Sequence, residues 1–116
     1  VTLVNRDAAR GQAAAARLGL PFVPLAAFRP GRYATLVHAI SVGDQLAFDL
    51  DDASPSATVA DFVCVAGTTT LVAAARERGL TVVDGPDVVA HEVAQQFQFM
   101  TDQPIPSSGY GRQNGR

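Results

Sequence analysis

DGPDVVAHEVAQQFQFMTDQP, residues 84–104, reads as a strand exit, an amphipathic helix and its stop. Val89, Val93, Phe97 and Met100 recur at intervals of three or four residues, the spacing that lines side chains along one helix face. Asp84-Gly85-Pro86 supplies the turn. Pro86-Asp87 puts a proline and an acid in the first helical turn, where a missing N–H is harmless and a negative charge meets the helix dipole. Thr101-Asp102-Gln103-Pro104 ends the helix. Upstream, Leu80-Thr81-Val82-Val83 is an apolar strand, and Thr69 to Arg78 is a shorter helix with Leu71, Val72 and Ala75 inward and Gly79 as its C-cap.

The same alternation continues toward the N-terminus. Thr58 to Ala66 forms a strongly apolar strand, and Thr35 to Ile40 another, with Ser41-Val42-Gly43-Asp44 as its exit. Leu46 to Ala57 connects them through an acidic knot of Asp49, Asp51 and Asp52 and then Ser54-Pro55-Ser56. Pro21 to Leu25 is a proline-bounded strand suited to a sheet edge. It leads into one helical turn at Leu25–Phe28 and a loop at Pro30-Gly31. Val1 to Val4 is the first strand, and Asp7 N-caps a helix running to Leu18 that Gly19 closes. Gly11 weakens that helix by about 1 kcal/mol relative to alanine. Short, nearly continuous apolar strands alternating with helices predict an α/β fold with a mainly parallel sheet buried on both faces.

The chain has 116 residues, 47% of them hydrophobic and 17% charged, with a net charge of −2. This fits one domain over residues 1–106 followed by a flexible Gly/Ser/polar tail at 107–116. There is no basic surplus for nucleic acid and no apolar run of about 18 residues for a membrane span, so a cytoplasmic location is the expectation. A single cysteine, Cys64, excludes an intrachain disulfide. Opening on Val1 inside a strand-like run reads as the start of a fragment.

In parallel sheets ligands collect at the carboxyl ends of strands. The exits here are Asn5-Arg6, Ala39 to Gly43, Cys64 to Gly67 and Asp84-Gly85. After the second strand of a dinucleotide-binding fold, an acid holds the ribose 2′-hydroxyl and an arginine accommodates a 2′-phosphate. Asn5-Arg6 with Arg10 one turn on is either such a 2′-phosphate site, favouring NADP, or a solvated helix start. The phosphate-cradling G-x-G-x-x-G belongs roughly 20 residues upstream of this exit. Gly109-Tyr110-Gly111 is no substitute, since no strand leads into it.

Four segments in order resemble the NADP-binding, C-terminal domain of shikimate dehydrogenase, including the form fused behind 3-dehydroquinate dehydratase. VTLVNRDAAR is similar to a strand ending in Asn-Arg-Thr-x-x-Arg, and LVHAISVGD to Asn-Ala-Thr-x-x-Gly-Met. DFVCVAGTTTLVAAARERG follows Asp-x-Val-Tyr-x-Pro-x-x-Thr-x-Leu-Leu without a gap. DGPDVVAHEVAQQFQFMTDQP follows Asp-Gly-x-x-Met-Leu-Val-x-Gln and its aromatic-Thr-Gly ending. The likeness covers residues 1 to about 106. It implies a partial Rossmann-like doubly wound fold that lacks the first strand and the Gly-rich turn.

The resemblance assigns roles by position. Asn5, Arg6 and Arg10 match residues holding the adenosine 2′-phosphate, with Asp7 in place of threonine. Ala39, Gly43, Val65 and Gly85 match the cofactor side, Gly85 lying beside the nicotinamide. Cys64 stands for a substrate-contacting tyrosine. Glu92 replaces a glutamine that hydrogen-bonds a shikimate hydroxyl; a carboxylate still accepts there but cannot donate. His38, Ile40 and Asp44 replace asparagine, threonine and methionine, and Ala66 replaces proline, while Asp61 and Thr69 are kept. The family's catalytic lysine and aspartate belong to an N-terminal substrate domain outside these residues, so no catalytic residue is assigned here and the chain alone is expected to be inactive.

Other constellations read more simply. His91-Glu92-Val93-Ala94-Gln95 lacks the second histidine of a zinc-protease motif. His38 reads as a hydrogen-bonded strand-end residue rather than a base, Cys64 as a buried small hydrophobe, and the aspartate knot as a solvated loop.

Two functions follow. One is the cofactor-binding part of an NADP-dependent oxidoreductase of the shikimate pathway of aromatic amino acid biosynthesis. It would act on shikimate or a related hydroxy-cyclohexene carboxylate, with the missing N-terminal substrate domain as its partner. The other is a catalytically inactive relative kept for metabolite binding, regulation or assembly. In the strand order 3-2-1-4-5-6 a chain beginning at the second strand leaves a gap between its first and third strands. Either those two strands close up, another copy fills the gap, or a segment outside these residues does; the last is the expectation.

Overall fold

A computed structural model describes residues 1–40, 46 and 48–106. Gly43 and Asp44, and the tail 107–116, lie outside the described residues. Five strands run β1 (Leu3–Asn5), β2 (Phe22–Pro24), β3 (Thr35–His38), β4 (Thr58–Asp61) and β5 (Thr81–Val83). Three helices run α1 (Ala8–Leu18), α2 (Thr70–Glu77) and α3 (Gly85–Thr101). Every strand pair is parallel, as the near-continuous apolar strands predict. The pairs form two sheets, β1-β2 and β3-β4-β5. The expected gap is there: among the described residues no ladder joins β1 to β3, and each has one strand edge unpaired.

The core belongs to the larger sheet. Leu36, Leu50, Val59, Leu71, Ala75 and Leu80 form one buried cluster, with Phe28, Tyr33 and Phe48 packed against it. Phe28 bridges the two other rings, stacking obliquely on Tyr33 at 5.4 Å and edge-on to Phe48 at 5.3 Å between centroids. Fully burying each large aliphatic side chain is worth about 1.5–3 kcal/mol. Leu50 joins this core from the segment between β3 and β4.

The smaller unit is held differently. Asp7 caps α1 through Arg10 N–H, and Gly19 closes it in the left-handed region at φ 65°. Only Gly11 and Ala15 of α1 are buried. A Cβ on Gly11 would run into the Phe22 ring and lie 2.8 Å from Asn5 Cβ, so this glycine lets the helix sit directly on β1 and β2. The weakening residue of the sequence is thus the contact residue of the fold.

Two expectations need correction. The strand from Thr58 stops at Asp61 rather than Ala66, because Asp61 turns its carboxylate back to Val63 N–H and closes a local turn at 3.0 Å. Cys64, expected to be buried, is therefore on the exposed exit. α3 forms as predicted: Gly85 is its only buried residue, Val93 is half-buried, and Phe99 and Met100 at its far end are 92% and 82% exposed.

Candidate functional site

The exits of the parallel strands carry the candidate residues in two groups. At the β1 exit, Asn5 Oδ1 accepts the N–H of Asp7 at 2.8 Å, and Asp7 Oδ1 accepts that of Arg10 at 3.0 Å. This pair of local bonds fixes the corner from which Arg6 and Arg10 extend. Both arginines are exposed, and among the described residues neither is ion-paired. Two unneutralised guanidiniums suit a phosphate.

The second group surrounds the exits of β3, β4 and β5. Ala39, Cys64 and Val65 are exposed there, and Gly85 is buried at the start of α3. A Cβ on Gly85 would run into the Val63 carbonyl oxygen and stand 3.0 Å from Cys64 Cα. Gly85 thus presses the first turn of α3 onto the β4 exit, bringing Cys64 and Gly85 together. Asp84 caps this helix in a reciprocal box with Asp87 and also takes an ion pair from Arg76 at 2.8 Å. Glu92 is exposed two turns along α3. Arg6 and Arg10 stay on the other sheet.

Within the second group, at the ends of β3 and β4, sits a cluster whose members the sequence names one by one but does not bring together. His38 and Asp61 are register partners at the ends of β3 and β4, 4% and 0% exposed. His38 Nδ1 lies 2.9 Å from Asp61 Oδ1, and Thr69 Oγ1 donates to Asp61 Oδ2 at 2.5 Å. Thr69 also accepts Val72 N–H at 3.2 Å and so caps α2. Burial pushes the Asp61 carboxyl pKa up, but hydrogen bonds from Thr69, His38 and Val63 N–H, with the charge of His38, outweigh it and hold the pKa below the ordinary value. Asp61 is thus an ionised carboxylate that orients the imidazole, leaving His38 Nε2 buried without a partner among the described residues. His38 is the hydrogen-bonded strand-end residue expected. An aspartate closing an apolar strand eight residues before a capping threonine was the available signal; which histidine faced it depended on strand register.

A cavity of about 440 Å³ lies elsewhere, between Leu25, Phe28, Pro30, Phe48 and the aspartates 49, 51 and 52. Asp51 there is bridged to Arg78.

No family model matches the chain. It is 38% identical over 103 residues to the shikimate dehydrogenase (NADP(+)) of Acidiphilium cryptum strain JF-5, covering 84% of this chain and 37% of that protein. With the enzyme of the same name from Rhodopseudomonas palustris strain HaA2 it shares 37% over 108 residues, 85% of this chain and 38% of that one. Among solved structures, shikimate 5-dehydrogenase from Thermus thermophilus in complex with NADP(H) and shikimate superposes with a TM-score of 0.78. It is 26% identical and covers 94% of this chain and 42% of that one. These relatives carry enzyme names and lend no support to the catalytically inactive reading. The chain is therefore a relative of the shikimate dehydrogenases in sequence and fold, spanning less than two fifths of the length of the curated proteins it matches.

Proposed function

We propose that this chain is the cofactor-binding part of an NADP-dependent oxidoreductase of the shikimate dehydrogenase type, acting on shikimate or a related hydroxy-cyclohexene carboxylate. The observation that carries the reading is the β1 exit: two free guanidiniums at the carboxyl end of a parallel strand, on a corner fixed by Asn5 and Asp7. Arg6 and Arg10 would hold the 2′-phosphate. Asn5 would act through the backbone, since its Oδ1 is engaged by Asp7 N–H. Ala39, Val65 and Gly85 would line the nicotinamide end. Cys64 and Glu92 would face the substrate. When bound, the nicotinamide would supply the hydride acceptor.

This chain's own contribution is placement. Gly85 leaves no side chain between α3 and the β4 exit, and Asp61, bonded to His38, Thr69 and Val63 N–H, keeps the tips of β3 and β4 in register. The acid–base pair would come from a substrate domain outside these residues. Calorimetric titration of the protein containing this chain with NADPH tests the reading. Arg6→Ala is expected to weaken binding at least about tenfold by removing a charge-assisted phosphate contact. Unchanged affinity would remove the β1 exit from the site.

A further inference from the structure

The cavity of about 440 Å³ between the segment after β2 and the segment before β4 is lined by none of the residues assigned above to cofactor or substrate. We propose that it is a second binding site, for a small organic cation: an ammonium group carried on a compact apolar body. The proposal does not rest on the cofactor reading.

Both walls are fixed. Leu25, Phe28 and Pro30 line the space from one side of the sequence, Phe48 and the aspartates from the other. Phe28 and Phe48 meet edge-on at 5.3 Å between centroids, and both pack against the buried core. A Cβ on Gly31 would run into the Asp52 carbonyl oxygen, so the two segments approach backbone to backbone next to the cavity. Asp51 is bridged to Arg78, which ties the acidic wall to the C-cap of α2. The volume is that of a small-molecule site, about 300–1,000 Å³.

The charge on the lining selects the occupant. Asp49, Asp51 and Asp52 face one lining cation, Arg29, and Arg78 reaches Asp51 from beyond the lining. Three carboxylates against two guanidiniums leave a net charge of −1, which a monovalent cation balances. Arg29 donates to the Phe28 carbonyl at 2.8 Å, and among the described residues no ion pair engages Arg29, Asp49 or Asp52. Among those residues no three carboxylates converge to hold a metal ion, so the match is a larger cation with its charge at one end. Phenylalanine rings attract an ammonium within about 6 Å of their centroids and shelter the apolar body attached to it. Both ligands proposed above, a phosphorylated dinucleotide and a carboxylate, carry the sign this lining repels.

Calorimetric titration of the protein containing this chain with 2-phenylethylammonium tests this, against 2-phenylethanol (uncharged) and 3-phenylpropanoate (oppositely charged) at one ionic strength. The ammonium should bind at least about fivefold more tightly than the alcohol, and the carboxylate should not bind. Asp52→Asn and Asp49→Asn should each weaken the ammonium about threefold to fivefold, the size of one exposed charge interaction. Asparagine at 49 keeps an oxygen for Asp51 N–H, and thermal melting checks that both variants are folded. NADPH affinity should be the same in these variants as in the unaltered protein. No ammonium binding up to about 10 mM would overturn the proposal. Equal binding of ammonium and alcohol, or ammonium affinity unchanged in both variants, would overturn it too. Ammonium binding with the expected losses but no NADPH binding would leave this site standing and remove the cofactor reading alone.

Discussion

The unit built from β1, α1 and β2 and the unit built from β3, β4, α2 and β5 use the same parallel crossover, yet they bury chain very differently. In the larger unit Leu36, Val59, Leu71, Val72, Ala75 and Leu80 are all buried, joined by Leu50 from the connection. In the smaller one the buried residues of the helix are Gly11 and Ala15, and both strands are only half-covered. The difference separates two tasks. The thick unit holds itself together around an apolar core with one polar knot at its rim, while the thin one presents charged groups and derives its shape from caps and a close backbone approach.

The largest expected effect lies in the thick unit. Asp61→Ala strands a buried imidazole and the Thr69 hydroxyl and should cost about 3–5 kcal/mol in urea unfolding; a loss below about 1 kcal/mol would show that the knot contributes little. The same carboxylate fixes a pH dependence. Its folded pKa is lowered, so its stabilisation is complete above the unfolded value of about 3.9 and is lost as pH falls through the lower folded value. Urea midpoints of the unaltered protein should therefore fall more steeply than those of Asp61→Asn on acidification below about pH 4.

Next comes Leu71→Ala, about 3 kcal/mol by cavity formation at a residue 1% exposed. Gly11→Ala sharpens the contrast from the other side. Helix propensity alone favours alanine by about 1 kcal/mol. The Phe22 ring and Asn5 must both give way, however, so a net loss of about 1–2 kcal/mol in the same assay is expected. A gain in stability would mean that α1 can lift off its strands freely. Smallest is Phe99→Ser, expected to shift stability by less than about 0.5 kcal/mol because the ring is 92% exposed.

Much of the fold was legible because local signals agreed with it. Asp7 and Gly19 bracketed α1, Thr69 and Asp84 opened the later helices, and apolar runs located all five strands. Strand lengths were less legible: Phe62, Val63 and Val65 are apolar enough to continue β4, but the side chain of Asp61 ends it by bonding Val63 N–H. The stripe of Val89, Val93 and Phe97 located α3 but not its cover, because a stripe records what a helix can pack, not what is there to pack it. For the candidate site, residue types at strand exits were visible, whereas the meeting of His38, Asp61 and Thr69 required the β3–β4 register, a long-range property with no local mark.

The glycine at the foot of α3 has one more consequence. At about 1.5 Å of rise per residue, seventeen residues make a rod about 25 Å long, seated on a peptide carbonyl with no side chain as cushion. Rod and rim meet backbone to backbone. The angle at which the rod departs and the path of the chain through Val63 and Cys64 are one mechanical setting, and neither can be re-aimed alone.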